Sequence, residues 1–196
     1  MAWQVLRTDG RPAVPWLNGG GVTREVAGGP AGSGPADFDW RVSLADVTRG
    51  GPFSVFPGVD RVLTVVAGEA LDLAVGGTAP VRVEPHLPFA FPGDAPTGGG
   101  LPSGPVVALN VMTRRGRASA RVVITGGPCP LEVPDAGTLV VVCLAGTVAV
   151  GTAGPVLARH DAALREDAVP GGGDLLQVLD GLAAVVTVRR SPPAPA

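Results

Sequence analysis

The sequence predicts an all-β protein, a sandwich or barrel of many short strands. Three observations predict it. Gly and Pro are abundant, 30 and 21 of 196 residues, and helix interiors tolerate neither well. They cluster between apolar runs, as turn punctuation does. The runs themselves are strand-sized and recur at short intervals, in a chain that is 45% hydrophobic with mean hydropathy +0.33.

The elements follow in order. Residues 21–26 begin a strand after three glycines, with Thr23 and Glu25 on one face and Val22, Arg24 and Val26 on the other. Residues 39–46 alternate, placing Trp40, Val42 and Leu44 on a core face and Arg41 and Ser43 on the opposite one. Further strands are expected at 60–66, 70–75, 81–84, 106–114 and 117–124. The second part of the chain adds 138–144, 146–150, 155–158, 162–165, 175–179 and 182–189. Segments 28–36, 94–105 and the tail 191–196 are expected to be mobile, and the tail disordered, because each is rich in Gly, Pro or small residues.

An internal echo divides the chain. LTVVAGEALDLAV (63–75) and LVVVCLAGTVAV (139–150) each read as a β-rich run, Ala-Gly, and another run. A Pro-containing strand and a turn follow each. A repeat of this kind suggests duplicated β-barrels, and the pattern is similar to the cupin core. The expected architecture is therefore a bicupin, with two barrel or jelly-roll lobes. The boundaries are 1–125 for an N-terminal lobe carrying a polar pocket and 126–190 for a smaller C-terminal lobe, strands being free to exchange between them.

Composition excludes several functions. The net charge is −2 and the pI about 5.6, which is poor for a nucleic-acid binder. The basic cluster Arg114, Arg115, Arg117 and Arg121 reads as a charged edge strand, or alternatively as an anion or partner patch. All fifteen basic residues are Arg, so lysine Schiff-base chemistry, including covalent pyridoxal phosphate, is excluded. There is no Tyr to serve as acid or base. No apolar run approaches the ~18–20 residues of a membrane helix. The first ten residues lack a basic region followed by an apolar core. Cys129 and Cys143 have no metal-type spacing and read as buried thiols. A cytoplasmic location is the expectation.

Four stretches could carry chemistry. In PWLNGGGVTRE (15–25), consecutive glycines let backbone amides approach another group; a plain turn into an edge strand is the alternative. No Lys-Ser/Thr follows, so a phosphate loop is excluded. In FDWRVSLAD (38–46), Arg41 beside Ser43 makes a carboxylate-binding fork if that face lines a barrel, and means nothing if the face is wet. GPFSVFPGVDR (51–61) is a turn packed by two Phe rings, and Asp60–Arg61 can be read as a local ion pair. In LNVMTR (109–114), Asn110 and Met112 share a face. The chain's two Asn, Asn18 and Asn110, both fall in these stretches. A half-buried strand amide usually has a specific partner, because leaving it unpaired costs about 1–3 kcal/mol.

Together these stretches resemble the HutD/Ves family of bacterial proteins. The matching phrases are PWLNGGGVTREVA (15–27), FDWRVSLADV (38–47), GPFSVFPGVDRVLTVVAG (51–68), PFAFPGD (88–94) and LNVMTRRG (109–116). The resemblance is dense over residues 10–125 and loose beyond. It implies a cupin-like fold with two lobes and no firmly established catalytic activity. It implies a regulatory or ligand-binding role toward a histidine-degradation intermediate such as urocanate or formylglutamate, while one branch is linked to stress.

The family's shared residues map to Trp16, Asn18, Thr23, Glu25, Arg41, Ser43, Arg61, Asn110 and Met112, expected to converge at a barrel mouth. Arg41 or Arg61 would anchor a carboxylate. Ser43, Thr23 and Asn110 would orient polar atoms, and Trp16 and Met112 would give apolar contact. Glu25 would hold an arginine or accept from a ligand N–H. Metal-binding cupins use two closely spaced His, a Glu and a further His. Here no His-x-His exists, His86 falls in a turn and His160 in the other lobe. The expectation is no metal, no cofactor and no catalytic residue. A metal-free enzyme using Glu25 as base, or an interaction module with a purely structural polar cluster, are the alternatives. A homodimer stays open.

Overall fold

A computed structural model describes residues 3–151, 153–166 and 174–191. Residues 192–196 of the expected tail lie outside that range. Among the described residues there are seventeen strands and no helix, and so no helix long and apolar enough to cross a membrane. They are β1 (Gln4–Leu6), β2 (Ala13–Pro15), β3 (Gly21–Gly29), β4 (Trp40–Val47), β5 (Gly51–Phe53) and β6 (Val59–Ala67). Then come β7 (Leu71–Val75), β8 (Val81–Val83), β9 (Phe89–Pro92), β10 (Thr97–Gly100), β11 (Val106–Arg114) and β12 (Ala118–Thr125). The last are β13 (Cys129–Leu131), β14 (Gly137–Val150), β15 (Val156–Ala158), β16 (Ala162–Glu166) and β17 (Asp174–Arg190).

The chain forms two compact units, Pro12–Arg115, and Met1–Arg11 with Gly116–Ala196. The division differs from one at residue 125. Strand β1 pairs with β16, Gln4 opposite Leu164, and β12 pairs with β17, Ala118 opposite Arg190. Pairing therefore carries both segments into the unit of the C-terminal strands. A composition scan does not reveal such long-range exchange.

The Pro12–Arg115 unit has two sheets, β2-β3-β4-β11-β6-β9 and β5-β10-β7-β8. Their inner faces share one core. Ala45, Leu63, Val65, Val106 and Ala108 come from the larger sheet and Leu71, Leu73 and Val83 from the smaller. This is face-to-face packing of antiparallel sheets. The outer face of β4 is also buried at Trp40, Val42 and Leu44, as its alternation predicts. The other unit is one sheet along β1-β16-β14-β17-β12, with β13 on β17 and β15 on β14. Its core of Leu131, Leu139, Val141, Cys143, Leu157 and Leu176 is apolar. Burial, and secondarily Asp161, pushes the Cys143 thiol up to about 11.

Several expected elements differ. The runs 138–144 and 146–150 are one strand, as are 175–179 and 182–189. A register shift between Cys143 and Ala145 bulges β14 there, and Ala145 and Gly146 go on to pair with Leu182 and Gly181 rather than ending the strand. Ala67-Gly68, by contrast, does end β6, and β7 then joins the other sheet. The two halves of the echo thus fold differently. Segment 94–105 contains β10, which pairs with both β5 and β7, and Gly28 and Gly29 complete β3.

Candidate functional site

The inner face of β4, β11 and β6 carries the polar residues that alternation assigns to it. Arg41 stands opposite Met112, and Met112 opposite Arg61. Two residues along, Ser43 stands opposite Asn110 and Asn110 opposite Leu63. The two arginines thus share one rung, separated by one strand, with Cα atoms roughly 10 Å apart from two interstrand spacings. A cavity of about 560 Å³ opens here. Trp16, Asn18, Thr23, Arg41, Ser43, Arg61, Asn110 and Met112 all line it. Glu25 does not; it reaches Arg41 instead.

The mouth is built by the glycine turn. Trp16 Nε1 donates to Thr23 Oγ1 at 2.8 Å, and the indole meets Phe53 edge to face at 5.6 Å. The indole can lie there because residue 21 is Gly. A Cβ at Gly21 would sit 3.2 Å from the ring and collide with the Asp46 carbonyl oxygen. Asn18 spends both ends of its amide on backbone groups, one in the turn and one in β5. Its Oδ1 accepts from Gly20 N at 2.9 Å, and its Nδ2 donates to Pro52 O at 3.0 Å. Its contribution to the cavity is therefore chiefly shape.

The two arginines have different electrostatic settings. Arg41 Nε donates to Glu25 Oε2 at 2.7 Å, a charge pair internal to the protein. Arg61 is 5% exposed, and among the described residues no carboxylate lies within 4.0 Å of it. Its hydrogen bonds are long: 3.4 Å from Nη1 to Ser54 O and 3.4 Å from Nη2 to Asn110 Oδ1, beyond the usual range for N–H donors. Its Nε is buried with no partner. Loss of water pushes the guanidinium down to about 10, so it remains a cation at neutral pH. The expected local ion pair with Asp60 does not form. Asp60 points to the other face and binds Arg115 at 2.6 Å, because successive strand residues face opposite ways.

Much of the remaining wall is apolar, including Val47, Phe53, Phe56 and Leu63. Ser43 Oγ makes only a 3.5 Å contact to Asn110 O, and Ser54 also lines the cavity. The arrangement is an apolar pocket with few polar groups, the usual form of a small-molecule site. The rings of Phe53, Phe56 and Phe91 have centroids 5.5, 5.6 and 4.9 Å from the Arg61 guanidinium carbon; the sequence predicts Phe53 and Phe56 only as packing for their turn and assigns Phe91 no place beside Arg61. The signal for Phe91 is its pairing with Arg61 across β6 and β9, which requires β9 to be recognised as a strand.

The basic cluster is largely consumed within the fold. Arg114 donates to the Phe38 and Ala36 carbonyls, and Arg115 binds Asp60 and Asp94. His86 and His160 occupy turns with φ of 64° and 68°. No group of three or more His, Cys, Asp or Glu placed to hold a metal ion occurs among the described residues.

Comparison with known proteins places this geometry in context. A family model described as HutD matches residues 9–177. The chain is 33% identical over 156 residues to the "uncharacterized 21.2 kDa protein in hutC 3′region" of Pseudomonas putida, covering 80% of this chain and 81% of that one. It is 39% identical over 112 residues to protein Ves of Citrobacter koseri, covering 57% and 58%. The structure of HutD from Pseudomonas fluorescens superposes with a TM-score of 0.86 at 31% identity, over 97% of this chain and 100% of that one. A bacterial pirin of Escherichia coli, in complex with nickel(II), has a TM-score of 0.65 at 8% identity over 98% and 100%, a likeness of fold alone.

Proposed function

This chain belongs to the HutD family, and from that premise we propose that its cavity binds a small carboxylate, with Arg61 as the anchor. The observation that carries the proposal is the setting of Arg61: a buried guanidinium, lining a cavity, with no carboxylate partner among the described residues. Desolvating an ion costs several kcal/mol even after relaxation, roughly. A charge-assisted contact from a ligand offsets that cost in a dry site.

The ligand's carboxylate meets the Nη atoms of Arg61, with Asn110 beside it. Arg41 supplies a second positive charge on the same rung, shared with Glu25. Ser43 and Ser54 offer hydroxyls, and Trp16, Phe53 and Met112 enclose the apolar portion. Urocanate and formylglutamate are the candidate ligands. The role is regulatory, in histidine utilisation or a stress response and in the cytoplasm; the name of the Pseudomonas putida relative supports the first setting.

Two features favour binding over catalysis. Glu25, the candidate base, lies outside the cavity lining and is engaged by Arg41. Among the described residues no Asp, Glu or His lines the cavity. A purely structural polar cluster would be internally paired, which describes Arg41 but not Arg61.

A thermal-shift titration with urocanate, formylglutamate and their uncharged amides tests the reading. Stabilisation by a carboxylate and not by its amide is expected. Equal stabilisation by both would remove the role of the charge, and no shift at millimolar levels would overturn the reading.

A further inference from the structure

Arg61 is 5% exposed, its Nε is buried with no partner and its two hydrogen bonds are long. Hydrogen bonds alone therefore do little to fix its orientation. Aromatic rings surround it instead. Three Phe centroids lie within 5.6 Å of the guanidinium carbon, inside the ~6 Å range in which a ring quadrupole attracts a cation.

The rings are placed by backbone, not by chance packing. Phe91 is the strand-register partner of Arg61. Phe56 N donates to Gly93 O at 2.8 Å, and Gly93 N donates to Val59 O at 2.7 Å. These bonds tie the Phe56 turn to the end of β9. Residue 93 must be small for this. A Cβ there would lie 2.8 Å from Val59 O and 3.1 Å from Phe56 O, and 3.4 Å from Arg61 Cδ. Phe53 and Phe56 line the cavity and can touch a ligand, whereas Phe91 is buried and does not. Any effect of Phe91 on binding must therefore act through Arg61.

We propose that Phe91, together with Phe53 and Phe56, forms a three-ring cradle that substitutes for a counter-anion at Arg61 and orients its guanidinium, making Phe91 a positioning residue. The link to binding rests on the carboxylate reading above; the cradle itself does not. In the empty cavity the rings' negative faces stabilise the charge. When a carboxylate enters, the guanidinium is already oriented, so less conformational freedom is lost on binding.

The test combines a ligand-free and a ligand-bound measurement. Thermal unfolding is compared for the wild-type chain, Phe91→Leu, Arg61→Met and the double variant. The cradle predicts that Phe91→Leu lowers Tm by several degrees more when Arg61 is present than in the Arg61→Met background. Equal losses in both backgrounds would make Phe91 ordinary packing and overturn the proposal. Should Phe91→Leu fail to fold, fluorination of the ring at position 91, which weakens its negative face at nearly constant shape, replaces it in the same cycle. Calorimetry with urocanate and formylglutamate then reads binding. Whichever binds the wild type should bind Phe91→Leu roughly fivefold more weakly, the scale of one cation–π contact, with Phe91→Tyr restoring most of the loss. Unchanged affinity in Phe91→Leu would overturn the positioning role. Failure of both compounds to bind the wild type would overturn the carboxylate reading, and the ligand-free cycle alone would then decide the cradle.

Discussion

Arg41 donates its Nε to Glu25 at 2.7 Å, and that pairing separates it from Arg61 on the same rung of the sheet. Of two guanidinium groups facing one cavity, one has a local counter-charge and the other has rings. The side chain of Glu25 is 50% exposed, so its hold on Arg41 is partly screened by water. In the proposed binding mode the difference gives the two unequal roles, with Arg61 as anchor and Arg41 as a modulated second cation.

Replacing Glu25 by Gln frees Arg41 for the ligand. Carboxylate affinity should rise roughly two- to fivefold, the worth of a half-exposed ion pair. Calorimetric titration of Glu25→Gln checks this. A fall in affinity would mean that Glu25 itself contacts the ligand.

Binding should be coupled to protons on the alkaline side. Burial holds Arg61 at about 10, and a carboxylate raises it again by stabilising the charged form. Carboxylate affinity is therefore expected to be level through neutrality and to fall as pH rises through about 10. Near that pH, binding takes up protons. Titrations in two buffers of different ionisation enthalpy measure the uptake, and buffer-independent heats there would contradict it. For folding, the sign is opposite to that of a stabilising ion pair. The unfolded chain holds the Arg61 proton to higher pH, so this group's contribution to stability improves as pH rises above about 10 toward the higher ordinary guanidinium value.

Asp161 anchors the N-terminal strand. Burial alone would raise its pKa, but bonds from Arg7 and from the backbone N–H groups of Thr8 and Ala158 outweigh burial and hold it low. Its contribution to stability is present above the unfolded carboxylate value and is lost as pH falls through the folded one. Asp161→Asn should cost about 1–3 kcal/mol in unfolding free energy at neutral pH by weakening these bonds. Hydrogen exchange should show the Thr8 amide, which donates to Asp161 Oδ1 at 2.8 Å, losing protection first. Unchanged protection at Thr8 would remove the anchor.

The β character and the cavity's inner face are legible in local sequence, because strand alternation fixes which residues share a face. Arg41 with Ser43, and Asn110 with Met112, need no tertiary information. Phe91 beside Arg61 does, since it depends on β9 pairing with β6. The internal pairing of Arg41 is equally non-local, because Glu25 meets it across β3 and β4. The bulge between Glu25 and Ala27 shifts that register in a way no alternation rule predicts. The division into units escapes for the same reason, since Gln4–Leu6 finds its partner at Ala162–Leu164.

Arg61→Met replaces the buried, unpaired cation with an apolar side chain of similar length. Removing such a charge is often neutral or stabilising, so the variant should fold with a Tm at or above that of the wild type. Calorimetric titration of both proteins with urocanate and formylglutamate at neutral pH is the most direct test. Saturable binding of at least one by the wild type, weakened roughly 30-fold or more in Arg61→Met as expected for a buried charge-assisted bond, is the predicted result. Equal affinity in a folded Arg61→Met protein would contradict the assignment of Arg61 as anchor.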